Sequence, residues 1–376
     1  MAIIAIFCDG TWNDKTSDDP THVAQLAAAC AQNKDQTVLY FAGVGTGSGM
    51  ISYLGRWLST VGGGLFGWGL NRNIKAAYID LCRVYQPGDK AMIFGFSRGA
   101  NTARSLVGMI RKSGILADPT QHNLTRAFRL YRSRGAFNVT DTPRVWAQRR
   151  KLSPDFATSA ADVIRRSDHS YLVWIAYLGV WDTVGALGIP QSLLGRVASV
   201  WNTRYAFHDT SLSGFVEQAR HAVALDEKRV LFEPCLWDNL DQSALGPGLN
   251  DGNPGAARYH QQKWFVGSHA IVGGSSGPKQ LGVEPLYWVW GGASANGLAE
   301  KPAHVLERIS ANMAVAAPDL DEVNRLYRYA PWLLQWRRGP SQSCDLHDSA
   351  RLRASLVKSY RPTTLRHLLA GLFKTR

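Results

Sequence analysis

The stretch KAMIFGFSRGANTAR, residues Lys90–Arg104, joins a short apolar run to a helical pattern through a serine that lies between two glycines. Lys90–Phe96 is short, apolar and bounded by turn residues, which predicts a buried β-strand. Ala100–Lys112 repeats apolar side chains at the spacing of one helix face, which predicts an α-helix. The stretch is therefore predicted to form a strand, a tight turn and a helix, with Ser97 at the turn.

Ser97 lies at the centre of the pattern Gly95-Phe96-Ser97-Arg98-Gly99. A turn of this kind is strained, needs small residues on either side, and lifts the serine hydroxyl above the sheet. The dipole of the helix that follows helps to stabilise negative charge there. The context is typical of the nucleophile elbow of α/β-hydrolases and predicts Ser97 as a nucleophile. In a chain with 36 glycines, an ordinary structural turn is the alternative.

Other parts of the chain predict further buried strands and helices. Strands are predicted at Ala2–Cys8, Thr37–Ala42, Leu172–Trp181 and Lys263–Val266, with Arg229–Phe232 as a further candidate. Helices are predicted at Val23–Cys30 and Asn71–Tyr85, with Leu212–Val223 and His304–Met313 as further candidates. Such alternation indicates a mostly parallel sheet with helices on both faces, here an α/β-hydrolase fold in a single domain over residues 1–376. In such sheets, ligands bind at the carboxyl ends of the strands.

A serine nucleophile needs a base and an acid that orients the base. In α/β-hydrolases the chain order is serine, acid, histidine. Asp182 directly follows an apolar strand in LGVWDTVGALG, and His269 does so in WFVGSHAIVGG. We therefore predict a triad of Ser97, Asp182 and His269 at one edge of the sheet.

A rival base and acid lie in RHAVALDEKR, as His221 and Asp226. Because the pattern looks helical from Phe215 onward, these side chains would be harder to aim across the strand ends. Whether either residue contributes is left open by the sequence.

An oxyanion hole needs backbone N–H groups close to the nucleophile. In this fold one comes from the residue after the serine, here Arg98, and another from the loop after an earlier strand. That loop is predicted at Asp9–Trp12, with Gly10 or Thr11 as the donor. Asp9 could instead serve only to fix the turn through its side chain.

The net charge of +13 favours anionic partners. The basic residues concentrate in four places, each of which is predicted to be a solvated surface: Arg126–Arg134, Arg144–Lys151, Arg325–Arg338 and Arg351–Arg376. The five cysteines are far apart, which predicts reduced thiols and synthesis in the cytoplasm. We expect no signal peptide and no membrane-spanning segment. No cofactor or metal is expected, since Cys344–Asp348 is better explained as a capped helix start than as a metal site.

Two segments carry apolar side chains without a clear place in the fold. Residues 43–70 mix glycines with large apolar side chains, which fits either a flexible connection or an apolar lid facing lipid. Residues 361–376 form a basic amphipathic pattern, which fits either peripheral contact with an anionic membrane or a helix packed on the domain.

Several uncommon short sequence motifs, called words below, occur in a fixed order along the chain. They are FCDGTWN, FAGVGTG, AAYIDLCRVYQPGD, FGFSRGANTAR, GVWDTVGALG, RHAVALDE, WFVGSHAIVGG and SYRP. Over about Ala2–Pro362, they resemble the α/β-hydrolase domain of type VI secretion lipase effectors. That family usually has G-x-H-x-D-V-G-G-G after the last strand. Here Ile271 stands where the aspartate is usual, and Ser275 where the third glycine is usual.

The resemblance implies a phospholipase that cleaves acyl ester bonds of membrane glycerophospholipids and is delivered into rival bacteria. Ser97 matches the family's nucleophile, and Asp182 and His269 match strand-end motifs that look like triad positions. Implied partners are the phospholipid or another acyl ester, the secretion machinery and an immunity protein, with no nucleic acid expected. Two other functions remain: a degenerate hydrolase fold that binds an anionic membrane or partner, and a soluble small-ester hydrolase or thioesterase.

Overall fold

A computed structural model describes residues 1–10, 19–43, 64–167, 170–185, 211–243, 246–251, 259–301, 313–318, 327 and 331–368. The strands of this part of the chain are β1 Ile3–Cys8, β2 Gln36–Phe41, β3 Lys90–Phe96, β4 Phe156–Ala157, β5 Tyr171–Leu172, β6 Trp174–Trp181, β7 Val216–Ala224, β8 Gln242–Ser243, β9 Gly246–Pro247 and β10 His260–Phe265. Its α-helices are α1 His22–Ala29, α2 Gly64–Val84, α3 Arg98–Ser113, α4 Gln121–Arg132, α5 Pro143–Leu152, α6 Ala160–Arg166, α7 His269–Val272, α8 Lys279–Ala295, α9 Met313–Ala316 and α10 Asp348–Leu356.

Among the described residues, six strands form one sheet in the order β10-β7-β6-β3-β1-β2, and every neighbouring pair is parallel. In β1, Ile4 and Ile6 enter one core cluster, whereas Ala5 and Phe7 enter another on the opposite face. Helices α2, α3, α4 and α5 contribute to the first cluster, and α1 and α8 contribute to the second. The prediction of an α/β fold with helices on both faces of the sheet is confirmed.

Two of the candidate elements are wrong. Leu212–Val223 was expected to be helical, but Val216–Ala224 is strand β7, which pairs with β6 on one side and β10 on the other. Arg229–Phe232 was expected to be a strand, but Val230–Phe232 is a 3₁₀ turn. Polar residues within β7 mimic helical spacing, and burial between two neighbouring strands overrides that local pattern. Of the helix candidate His304–Met313, only Met313 lies in the described part, where α9 begins.

Three arginines of the basic concentrations are not solvated, so the surface prediction is wrong for them. Arg149 and Arg353 are among the largest fully buried side chains, and Arg337 is 3% exposed. Arg149 pairs with buried Asp162 at 3.0 Å. A buried arginine needs a carboxylate or carbonyl partner, and the sequence pattern does not show that such partners converge.

The two apolar segments are only partly described. Of residues 43–70, Gly43 and the first turns of α2 lie in the described part. The apolar lid stays a prediction. In 361–376, Leu365 is buried and Leu368 packs beside it, in a cluster with Leu346 and Tyr360. The C-terminal segment is thus docked on the fold as far as residue 368, and residues 369–376 lie outside the described part.

None of the described helices is long and apolar enough to cross a bilayer. The five cysteines are free thiols. His347 caps the start of α10, where its side chain accepts the N–H of Ser349 at 3.3 Å. The capped helix start expected at Cys344–Asp348 is therefore present. A single domain over residues 1–376 stays a prediction.

Candidate active site

Ser97 forms the turn between β3 and α3 in a strained backbone conformation. Its φ is 57° and its ψ is −120°, a region that residues with a side chain rarely adopt. A Cβ on Gly95 would lie 2.4 Å from the carbonyl oxygen of Gly99, and one on Gly99 would lie 2.1 Å from that of Cys8. Both glycines of the pattern are therefore required because backbones approach each other closely around Ser97.

Ser97, His269 and Asp182 form a continuous hydrogen-bonded relay. Nε2 of His269 lies 2.8 Å from Oγ of Ser97. Nδ1 of the same ring lies 2.5 Å from Oδ2 of Asp182. The three residues follow β3, β10 and β6, whose carboxyl ends meet at one edge because the strands are parallel. The structure brings together all three residues of the predicted triad.

The His269 ring is buried beside two aromatic side chains. The rings of Phe96 and Phe232 each have their centroids 4.7 Å from that of His269. Burial lowers the pKa of His269, and the hydrogen bond and charge of Asp182 oppose that shift. A neutral imidazole that donates Nδ1–H to the carboxylate presents Nε2 as an acceptor to the serine hydroxyl. The ring is therefore suited to act as a general base near neutral pH.

Asp182 is completely buried and accepts four hydrogen bonds. Oδ1 accepts the Ala224 N–H at 2.9 Å and Nη1 of Arg337 at 2.7 Å. Oδ2 accepts Nη2 of Arg337 at 2.9 Å in addition to the His269 ring. Burial alone would raise the pKa of Asp182, but the charge of Arg337 and these hydrogen bonds hold it well below its usual range.

Arg337 is the residue that sequence reasoning missed most clearly. It is separated from Asp182 by 155 positions and lies in a stretch whose basic composition predicted a solvated surface. No local motif marks it. Only the tertiary contact identifies it as a member of the site.

The loop that carries His269 is held by two carboxylates of the word RHAVALDE. Oδ2 of Asp226 accepts the Gly267 N–H at 2.7 Å, and Oε2 of Glu227 accepts the His269 N–H at 3.1 Å. Asp226 therefore anchors the backbone of this loop, and Asp182 is the carboxylate bonded to the His269 ring. Glu227 was not anticipated, although its place beside Asp226 in that word was the available signal.

His221, the rival base, lies on β7, and its hydrogen bonds indicate a structural role. Nε2 of its ring accepts the Thr183 N–H at 3.2 Å, and Nδ1 lies 2.9 Å from Oε1 of Gln262. Burial lowers the pKa of His221 to about 3. Both ring nitrogens are engaged in hydrogen bonds that hold the sheet and the adjoining loop together.

Ile271 packs into the core rather than into the relay. It belongs to an apolar cluster with Val266 and Leu281. A Cβ on Gly267 would lie 2.6 Å from Ile271 Cγ2, and one on Gly277 would lie 2.5 Å from Cγ1. The isoleucine therefore fills space that two neighbouring glycines leave open. The carboxylates that hold the His269 loop come from Asp226 and Glu227.

The predicted oxyanion donors have different outcomes. Arg98 is the first residue of α3 and directly follows Ser97. The Gly10 N–H donates to Oδ1 of Asp9 at 2.6 Å, and Thr21 donates to the same oxygen at 2.8 Å. Asp9 therefore fixes the turn after β1, as its alternative role predicted. Thr11 lies outside the described residues.

A metal site is not evident in the described part of the chain, where no group of three His, Cys, Asp or Glu residues is placed to hold an ion. The site contains a strained serine at the end of a central parallel strand. The serine is hydrogen-bonded to a histidine, which is hydrogen-bonded in turn to a buried carboxylate. This arrangement on this sheet defines the α/β-hydrolase class.

A family model described as "T6SS, Phospholipase effector Tle1-like, catalytic domain" matches residues 3–291. The chain belongs to this family of phospholipase effectors of the type VI secretion system.

Individual relatives are more distant. Over 173 residues, which are 46% of this chain and 22% of the relative, it is 30% identical to the uncharacterized protein YEL023C of Saccharomyces cerevisiae. A crystal structure of an uncharacterized protein from Pseudomonas aeruginosa aligns with 15% identity and a TM-score of 0.41, covering 80% of this chain and 46% of that one. The Tle1 effector, solved bound to the VgrG spike of the type VI secretion system, aligns with 16% identity and a TM-score of 0.34, covering 74% and 52%. The chain thus spans about a fifth of the yeast protein and about half of each solved chain.

Proposed function

We propose that this chain is a serine esterase of the phospholipase A type, which hydrolyses acyl ester bonds of glycerophospholipids through Ser97, His269 and Asp182. The observation that supports it most is the relay, in which Nε2 of His269 lies 2.8 Å from the hydroxyl of a serine with a φ of 57°. Nucleophile, base and orienting acid are each within hydrogen-bond reach of the next.

In the first half of the reaction, Oγ of Ser97 attacks the carbonyl carbon of the acyl ester. The hydroxyl proton passes to Nε2 of His269, and the resulting imidazolium is stabilised by Asp182. As the tetrahedral intermediate collapses, the bond to the alcohol oxygen breaks and His269 delivers the proton to that oxygen. A lysophospholipid leaves, and the acyl group remains on Ser97.

In the second half, water replaces the alcohol. His269 takes a proton from the water, whose oxygen attacks the acyl carbon, and the proton is returned to Ser97 as the fatty acid leaves. In each half, negative charge develops on the carbonyl oxygen. We propose the N–H of Arg98, the residue after Ser97, as one donor for this charge. Because the Gly10 N–H donates to Asp9, Thr11 is the candidate for the second donor from the loop after β1.

The choice of a phospholipid as substrate is supported by membership in the effector family. The same membership supports delivery into rival bacteria by a type VI system, with the secretion machinery and an immunity protein as partners. The net charge of +13 is compatible with peripheral contact to an anionic membrane.

Replacing the nucleophile tests this proposal. Wild type should release free fatty acid and lysophospholipid from mixed phospholipid vesicles, measured by mass spectrometry, and should be labelled by a fluorophosphonate probe. S97A should lose about 10⁴-fold or more of the turnover, together with the labelling, because the acyl-enzyme cannot form. S355A, at an exposed serine, is the matched control and should behave as wild type.

The other outcomes separate the remaining functions. Undiminished turnover by S97A would contradict the proposed mechanism with Ser97 as the nucleophile. Hydrolysis of short soluble esters without any release from vesicles would indicate a soluble esterase or thioesterase. An unreactive Ser97 combined with salt-dependent vesicle binding would indicate a binding module.

A further inference from the structure

Both Nη groups of the Arg337 guanidinium donate hydrogen bonds at the active site. Nη1 donates to Oδ1 of Asp182 at 2.7 Å and to the Ala224 carbonyl oxygen at 2.9 Å. Nη2 donates to Oδ2 of Asp182 at 2.9 Å and also to the carbonyl oxygen of Phe232. Phe232 is one of the two aromatic rings against His269. The guanidinium therefore links the Asp182 carboxylate to the backbone at Ala224 and at Phe232.

The geometry of this contact restricts the carboxylate more than a single charge would. An arginine that spans both oxygens holds the carboxylate plane in one orientation, because two parallel N–H···O bonds must be satisfied together. Asp182 is 0% exposed, so removing the Arg337 guanidinium would take away two of the four donors to a buried carboxylate. Its remaining partners would be the Ala224 N–H at Oδ1 and the His269 ring at Oδ2, one for each oxygen.

We propose that Arg337 is a positioning residue of this active site, which fixes the plane of the Asp182 carboxylate and thereby aims Nε2 of His269 at Ser97. This inference rests on the proposed esterase function only in the experiments that measure ester hydrolysis. The contact itself can be tested without turnover.

The charge of Arg337 also acts on the proton affinity of the histidine. The charged groups that face this region are Asp182 after β6, Glu227 and Arg229 after β7, and Arg337. Because Arg337 shares the carboxylate with His269, it weakens the stabilisation that Asp182 gives to the imidazolium. Removing the guanidinium should therefore raise the pKa of His269, and the acidic limb of the pH profile should move to higher pH.

The experiment compares R337Q and R337K with R338Q in the full chain. Arg338 is the exposed neighbour, so R338Q makes the same change in charge without touching the site. The activity readout is kcat and kcat/KM on a soluble chromogenic ester as a function of pH. For R337Q we expect a loss in kcat of about 100-fold from misorientation of the relay. The acidic limb should move upward by about one pH unit, and R338Q should match wild type.

R337K separates charge from geometry. Its ammonium keeps the positive charge but cannot span both carboxylate oxygens. The acidic limb should therefore stay close to wild type while kcat falls. If R337Q fails to fold, R337K carries the test alone, and a wild-type kcat in R337K would overturn the proposal.

A readout that does not need catalysis separates this inference from the proposed function. The chemical shifts of the His269 ring are followed by NMR as a function of pH in an S97A background. R337Q should raise the apparent pKa of His269 by about one unit, and R338Q should not change it. An unchanged His269 titration in folded R337Q would overturn the role of Arg337 even if Ser97 is the nucleophile. Conversely, full activity of S97A would end the esterase proposal while leaving this titration decisive.

Discussion

Asp182 is a buried carboxylate whose two oxygens each accept two hydrogen bonds. An amide in its place has one acceptor oxygen and one NH₂ group, so a donor must face another donor inside the protein. Asp182 also has a φ of 38°, which asparagine tolerates well. Asp182→Asn is therefore a chemical change with little change in shape.

We expect Asp182→Asn to reduce kcat by about 10⁴-fold, because the histidine loses the partner that fixes its tautomer and stabilises its charge. The measurement is the steady-state rate of ester hydrolysis, with circular dichroism to verify folding. Asp35→Asn, at an exposed aspartate, is the control and should retain full activity. A folded D182N variant with a rate near wild type would rule out Asp182 as the orienting acid.

At the scale of elements, the C-terminal part of the chain is coupled to the loop that carries His269. Tyr360 donates its hydroxyl to Asp226, at 2.9 Å from Oδ2, and that oxygen also accepts the Gly267 N–H at 2.7 Å. Thr364 donates to the Leu225 carbonyl oxygen at 2.8 Å. The word SYRP thus acts together with RHAVALDE, although the two lie far apart in the sequence.

Asp226 gives this region a stability that depends on pH. Burial raises its pKa from 3.8 to about 6, so the folded state holds the proton more tightly than the unfolded state. The stability from this group is present below about pH 4 and is lost as pH rises through about 6. Two pKa units correspond to about 3 kcal/mol. Relative to Asp226→Asn, which does not titrate, wild type should lose up to about 3 kcal/mol between pH 4 and pH 7.

Urea unfolding of wild type and D226N across this range measures the difference directly. Comparing the two proteins at each pH cancels the opposite contributions of Asp182 and Glu227, whose pKa values are lowered. A difference that stays constant from pH 4 to pH 7 would show that Asp226 does not titrate in this way.

At the scale of the whole molecule, the excess of 42 Lys and Arg over 29 Asp and Glu should direct the chain to anionic surfaces. Each basic residue close to an anionic bilayer contributes about 1 kcal/mol, and salt screens that contribution. We expect S97A to co-sediment with vesicles rich in phosphatidylglycerol at low salt. Its apparent affinity should fall by at least about tenfold at high salt.

S97A serves as the ligand in that experiment because it should not digest the vesicles. Phosphatidylcholine vesicles are the neutral control and should bind weakly at any salt concentration. Equal binding to neutral and anionic vesicles would show that net charge does not drive the association.

Local patterns were sufficient wherever one segment fixes its own structure. The strand, turn and helix around Ser97 follow from the apolar run Ala91–Phe94, the two glycines that flank the serine and a helical repeat, and they are present in the structure. Asp182 and His269 could be proposed because parallel strands bring their carboxyl ends to one edge. Strand β7 could not be predicted in this way, because its burial depends on neighbouring strands that a local pattern does not show.

The sequence by itself determined the parallel α/β architecture, the place of Ser97 and the triad candidates, since periodicity and chain order encode them. Only the tertiary structure decided which charges support the site. Arg337 reaches Asp182 across 155 positions, and Asp226 and Glu227 hold the His269 loop. The physical reason is that a buried ion needs its partner in space and not in sequence, so convergence of charges appears only when the chain is folded.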